Sequence, residues 1–132
     1  IGEKTAELIK KTIGSAYVTE ETIDICGRNL VTGLPSEITI TGKDVYDALI
    51  ELFQTIVDSV KIILERTPPE ISSDIYKSGV YITGGSSRIK DLGRFVYDQL
   101  GLKVNLCEEP ESTVIMGLGA IIEDPSLAKL TL

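Results

Sequence analysis

The sequence predicts an α/β fold in which a small helix-plus-hairpin lobe precedes a partial parallel βαβ lobe. Three observations carry that expectation. Between residues 80 and 106 an apolar run, a glycine turn, an amphipathic helical stretch and a second apolar run follow in order; a strand–helix–strand unit of this kind requires a parallel crossover. Ahead of it, a long apolar stripe at helical spacing runs from Lys43 to Arg66. Earlier still, two short alternating runs flank a turn-rich segment, the pattern of a β-hairpin with a long loop.

Taken in order, the first helix is expected over Thr5–Ala16. Ala6, Ile9, Ile13 and Ala16 recur on one face, while Glu3, Glu7, Lys10 and Gly14 mark the other. The hairpin strands are Thr22–Cys26 and Glu37–Thr41, where isoleucines occupy alternate positions, with Gly27–Pro35 between them. In the long helix, Val45, Ala48, Leu49, Leu52, Phe53, Ile56, Val57, Val60 and Leu64 form the stripe. Thr41 and Asp44 have capping-box spacing at its start. Thr67-Pro68-Pro69 ends it, because proline cannot continue the hydrogen-bond ladder. A short helical turn is expected over Ser72–Lys77, then a strand at Val80–Thr83, a helix over Ile89–Leu100 closed by Gly101, and a strand at Val104–Leu106. The last helix spans Ser112–Ile122 and contains Gly117 and Gly119. Each glycine costs about 1 kcal/mol against alanine there, so close approach of a backbone or a ligand is expected. The pattern shifts near residue 42, which divides the chain into residues 1–42 and 43–132.

The 132 residues are long enough to bury roughly two-thirds of their unfolded surface, so no metal or disulfide staple is needed. A net charge of −7 excludes a basic nucleic-acid footprint and disfavours anionic lipid. No apolar run approaches the roughly 18 residues of a membrane span, and no signal peptide is visible. The two cysteines, Cys26 and Cys107, lie far apart and read as reduced core thiols. The absence of histidine removes imidazole bases, Ser-His-Asp triads and His-ligated metals from this segment.

Three places could carry chemistry. Thr83-Gly84-Gly85-Ser86-Ser87-Arg88 joins a strand end to a helix start, where open α/β sheets take ligands and helix N–H groups are free; a plain strand-to-helix turn is the alternative. Glu7 and Lys10 share one helix face, which suits ribose hydroxyls and the polar edge of a purine; a solvated ion pair is the alternative. The glycine helix near Gly117 either packs tightly or lies beside a ligand. No P-loop, GxGxxG fingerprint or GxSxG elbow is present. Ser86 and Ser87 therefore read as capping or ligand-binding hydroxyls, and no residue is assigned as catalytic.

Several blocks resemble one family. Ile1-Gly2-Glu3-Lys4-Thr5-Ala6-Glu7, Gly27-Arg28-Asn29-Leu30-Val31-Thr32-Gly33-Leu34-Pro35, and Leu64-Glu65-Arg66-Thr67-Pro68-Pro69-Glu70 followed by Asp74-Ile75 resemble the bacterial MreB and Mbl proteins. Gly79-Val80-Tyr81-Ile82-Thr83-Gly84-Gly85 resembles their adenosine motif, and Glu109-Pro110 with the following glycine helix resembles their last conserved block. One loop departs. Where MreB usually has a third glycine, this chain has Ser86-Ser87-Arg88-Ile89, which is similar to the corresponding loop of heat-shock chaperone ATPases.

The resemblance implies an actin-like, ribonuclease H-like ATPase fold and places this chain in its second domain. Residues 1–42 would form the outer lobe, and residues 43–132 an inner lobe with an incomplete sheet. It implies an ATP site in which Glu7 and Lys10 face ribose and adenine with Gly14 below, and Gly84, Gly85 and Ser86 approach the adenosine and α-phosphate. Arg88 would lie against the adenine, and Gly117 would belong to a helix connecting the domains. Mg²⁺ and the phosphate loops would belong to a part of the protein upstream of Ile1, so the chain alone is expected to hydrolyse no ATP, while the full-length parent would be a slow ATPase. By the same resemblance the partners are further copies of the protein in a filament, the cell-elongation machinery and a membrane partner such as RodZ. The location is cytoplasmic, against the inner face of the cell membrane, and the role is control of rod shape and cell-wall synthesis. The alternatives are a chaperone-like or sugar kinase-like ATPase of the same superfamily, or a partner-binding module with a degenerate cleft.

Overall fold

A computed structural model of the chain describes residues 1–124, 126–127 and 129. The element order is α1 (Glu3–Ile13), β1 (Thr22–Arg28), β2 (Pro35–Thr41), α2 (Gly42–Glu65), α3 (Pro69–Ser78), β3 (Val80–Ile82), a 3-10 turn (Gly85–Arg88), α4 (Leu92–Leu100), β4 (Val104–Leu106) and α5 (Thr113–Glu123). β1 and β2 pair antiparallel, and β3 and β4 pair parallel on either side of α4.

The hairpin sets Ile23 opposite Ile40 and Ile25 opposite Ile38, so apolar side chains meet across the strands. Its loop is held by Asn29, whose Oδ1 accepts from the N–H groups of Val31 at 2.9 Å and Thr32 at 3.1 Å. α2 begins on the expected capping box. Asp44 N–H donates to Thr41 Oγ1, while Asp44 Oδ2 accepts from Thr41 N–H at 2.9 Å. The prolines that end α2 also start α3: Pro69 occupies the first turn, where its missing N–H costs nothing. The helical turn expected at Ser72–Lys77 is therefore a complete helix.

α2 is the spine. Val45 packs with Ile9, Ile13 and Ile25, whereas Phe53 and Val57 pack with Ala16, Leu92, Phe95 and Val96. Leu49 touches both clusters. Much of the rest of the stripe faces solvent, including Leu52 and Ile56.

Several boundaries differ from expectation. α1 stops at Ile13, with Gly14 as its C-cap, instead of running to Ala16. Ala16 is fully buried even so, because the chain leaves the helix and lies beside residue 90; Ser15 bridges Lys90, and Ala16 N–H donates to Lys90 O at 2.9 Å. The helix expected from Ile89 starts at Leu92, since Asp91 adopts a left-handed conformation at φ 59°. Cys26 is exposed and Cys107 half-buried, so neither is a core thiol. α5 has no buried residue. A Cβ added to Gly117 or Gly119 would meet nothing within 4 Å, so among the described residues no backbone closes on that helix.

Candidate functional site

The early departure from α1 and the Ser15–Lys90 bridge bring the end of α1 against the glycine loop after β3. Lys90 reinforces the approach, its Nζ donating to Glu21 Oε1 at 2.6 Å and Oε2 at 2.8 Å. Edge-on packing of Tyr17 against Phe95, with ring centroids 6.1 Å apart, fixes the same junction from the core side.

Between α1 and the loop lies a groove of about 550 Å³. Glu7, Lys10, Lys11 and Gly14 line one wall, Gly85, Ser86, Arg88, Ile89 and Lys90 the other, and Glu111 closes one side. Five residues singled out from the sequence, Glu7, Lys10, Gly85, Ser86 and Arg88, thus share one concavity. Gly84 lies next to it without lining it, and Gly117 on α5 lies outside it.

The loop is anchored from below. Thr83 Oγ1 and Gly84 N–H both donate to Pro110 O at 2.8 Å. Gly84 has φ 87° and ψ 158°, a backbone conformation open essentially to glycine alone. Gly14 has a different reason to be glycine, since a Cβ would come within 2.1 Å of Lys10 O. The two serines divide their roles. Ser87 is buried and its Oγ donates to Gly84 O at 2.8 Å, stapling the 3-10 turn, while Ser86 is exposed on the groove. The N-terminus of α4 does not meet the loop, because the 3-10 turn and residues 89–91 intervene. The donors expected from that helix are accordingly not at the groove.

The electrostatics differ in pairing from the expectation. Glu7 pairs with Lys11 at 2.7 Å, one position beyond Lys10. Helical spacing allows i,i+3 or i,i+4, and here the i,i+4 partner takes the carboxylate. The hydrogen bond from Lys11 holds the Glu7 carboxyl below its ordinary pKa, with the Lys11 charge and then that of Lys10 adding to it. Lys10 has no carboxylate partner among the described residues, which leaves its ammonium available in the groove.

Arg88 makes a two-pronged ion pair through two of its nitrogens. Its Nε donates to Glu111 Oε1 at 2.6 Å and its second Nη to Oε2 at 2.8 Å. The Arg88 hydrogen bond is the main cause that lowers the Glu111 pKa, and the same contact raises that of Arg88. The sequence reading missed Glu111, Lys11 and Lys90. Lys11 could have been found as the other helical neighbour of Glu7. Glu111 has no local signal, since it lies 23 residues from Arg88 and meets it only through the β3–β4 pairing.

Among the described residues no cluster of acidic or sulfur side chains is arranged to hold a metal ion, and no helix is long and apolar enough to cross a membrane.

The model of the MreB/Mbl protein family matches residues 1–129. The chain is 40% identical over 126 residues to the cell shape-determining protein Mbl of Bacillus subtilis strain 168, covering 94% of this chain and 38% of that protein. It is 40% identical over 125 residues to the cell shape-determining protein MreB of Escherichia coli strain K12, covering 93% and 36%. A crystal structure of MreB5 of Spiroplasma citri bound to ADP superposes with a TM-score of 0.87 at 36% identity, covering 92% of this chain and 37% of that one. The chain therefore spans little more than a third of the length of the relatives it matches. The fold is actin-like, and the chain belongs to the MreB/Mbl family of bacterial cell shape-determining proteins.

Proposed function

We propose that the groove between α1 and the glycine loop is the adenosine side of an ATP site, and that the whole protein polymerises into filaments that direct rod shape and cell-wall synthesis. The observation that carries this reading is the convergence of Glu7, Lys10, Gly85, Ser86 and Arg88 on one concavity from two distant parts of the chain. The chemistry of the set fits a nucleoside. Glu7 offers carboxylate acceptors for ribose hydroxyls, Lys10 an ammonium donor, Ser86 a hydroxyl, and Arg88 a flat cation that stacks on an aromatic base. Gly14 and Gly85, which line the groove, carry no side chain into it. Support also comes from the related MreB5 of Spiroplasma citri, which was crystallised with ADP.

In this proposal Gly84 shapes the loop from behind, and Gly117 acts through α5 as a connection to the other domain. The division into an outer lobe, residues 1–42, and an inner lobe, residues 43–132, belongs to the same reading. Mg²⁺ and the β- and γ-phosphates are assigned to parts of the full-length protein outside this chain. So is any slow ATPase activity, since phosphoryl transfer depends on a positioned metal and phosphate donors. The site of action is the cytoplasmic face of the cell membrane, with the cell-elongation machinery and a membrane partner such as RodZ.

Calorimetry with the full-length protein tests the site. ATP is expected to bind, and Lys10→Ala and Arg88→Ala are each expected to weaken it about five- to tenfold; unchanged affinity in both would reject the groove as the site. Sedimentation with and without ATP tests the filament. Polymer that forms only with nucleotide is expected, and none under any condition would remove the cytoskeletal role.

A further inference from the structure

We propose that Glu111 is a positioning residue for the nucleotide base, holding the Arg88 guanidinium edge-on so that its flat face forms a fixed wall of the groove. The proposal rests on the nucleotide reading above and adds a residue to it.

The geometry is specific. A guanidinium has five N–H donors in one plane and two faces that carry none. Glu111 takes two of those donors, both along the edge, at 2.6 and 2.8 Å. Such a two-pronged bond fixes the orientation of the plane as well as the position of the charge. The Arg88 side chain nevertheless stays more than half exposed on the groove. An arginine paired in this way is locked without being covered.

Glu111 is itself held. Pro110, the preceding residue, is buried, and its carbonyl receives both Thr83 Oγ1–H and Gly84 N–H. Ser112 N–H donates to Glu109 O at 3.0 Å and closes the turn around Glu111. A Cβ on Gly85 would lie 3.6 Å from Glu111 Cγ, so the carboxylate stem fills the space beside the loop glycine. Arg88 and Glu111 are thus mounted on two segments that are tied to each other through Pro110. Free arginine side chains lose rotamer freedom on binding. A guanidinium already oriented by Glu111 has little left to lose when a base stacks on it.

The test uses the full-length protein with Glu111→Gln, Glu111→Ala, Arg88→Ala and the double variant Arg88→Ala/Glu111→Ala. Affinities for ATP and CTP are measured, because a purine offers the larger stacking face. Both Glu111 variants are expected to weaken ATP about three- to fivefold, no more than Arg88→Ala does, and CTP less, so that the purine preference falls. In the Arg88→Ala background, the loss of Glu111 is expected to change nothing further, the signature of two residues acting as one unit. Should Glu111→Ala fail to fold, Glu111→Gln, which conserves volume, carries the same comparison. ATP affinity equal to wild type in the Glu111 variants overturns the positioning role while leaving the nucleotide site in place. An undiminished loss in the Arg88→Ala background also overturns it, as does equal weakening of ATP and CTP. A wild-type protein that binds neither nucleotide removes the nucleotide reading and this proposal together.

Discussion

Gly84 and Gly85 are adjacent, yet physical chemistry asks different things of them. Gly84 sits at φ 87° and ψ 158°, where a Cβ is strained whatever space surrounds it. Gly84→Ala is expected to lower stability by about 1–3 kcal/mol, read by chemical denaturation. Gly85 has an ordinary φ, and its added Cβ would make only van der Waals contact with Glu111. Gly85→Ala is expected to leave stability within about 0.5 kcal/mol of wild type but to weaken ATP binding, because the methyl group enters the groove. A Gly85→Ala variant that melts like Gly84→Ala would contradict this division. Glu111 supplies a test by pH. Its folded-state pKa is depressed below the ordinary 4.5, chiefly by the Arg88 hydrogen bond. The ion pair therefore contributes in full above the unfolded-state value and is lost as pH falls through the folded value. Carboxyl titration by NMR should place the Glu111 midpoint below 4.5 in the wild type and return it toward the ordinary value in Arg88→Ala. Because both side chains are about half exposed, the stability at stake is small. Sequence alone reached Glu7, Lys10, Gly85, Ser86 and Arg88, because each belongs to a local pattern: a helix face or a glycine turn. It could not reach Glu111, whose partner is chosen by how the strands pair rather than by spacing along the chain.

Elements whose signals lie within one continuous segment were legible. α2 was readable from its stripe, its capping box and its terminating prolines, all of which act over a few residues. The hairpin was readable from alternation, although its strands extend to Arg28 and Pro35 beyond the alternating runs. Boundaries set by tertiary contact were not. Ala16 keeps helical spacing with Ile9 and Ile13, but the chain turns at Gly14 and delivers Ala16 to a different cluster. The start of α4 slipped by three residues because Asp91 takes a left-handed conformation that Ile89-Lys90 does not announce. The cap of α2 can be weighed directly. Thr41 is also where β2 ends, so it joins hairpin to spine. Thr41→Ala removes the acceptor for Asp44 N–H and one half of the reciprocal pair. A loss of about 1 kcal/mol is expected, and Asp44→Ala should add little in that background because the box acts as a unit. Denaturant midpoints of the two single variants and the double variant check it; full additivity would show that the two bonds act independently.

At the scale of the whole molecule, the distribution of apolar surface decides how this chain behaves by itself. A second groove, of about 440 Å³, runs between α2 and β3, and Phe53, Ile56, Val60, Val80 and Ile82 line it. β3 pairs with β4 alone among the described residues, so its other edge keeps backbone donors and acceptors without partners. α5 leaves Val114, Ile115, Met116, Leu118 and Ile122 largely in solvent, with Ile122 82% exposed. Apolar patches and open strand edges of this kind recruit other chains. The isolated 132 residues are therefore expected to self-associate, with light-scattering mass rising above the monomer value as concentration increases. Ile115→Lys and Ile122→Lys together should lower that association, since both act on the exposed face of α5 without touching either core cluster. The net charge of −7 works against association at long range but is screened at physiological salt. Raising salt should consequently strengthen the association if apolar contact drives it and weaken it if ion pairs do. A strict monomer at high protein and high salt would mean that α5 and the β3 edge are quiet surfaces, and that these 132 residues satisfy their own fold.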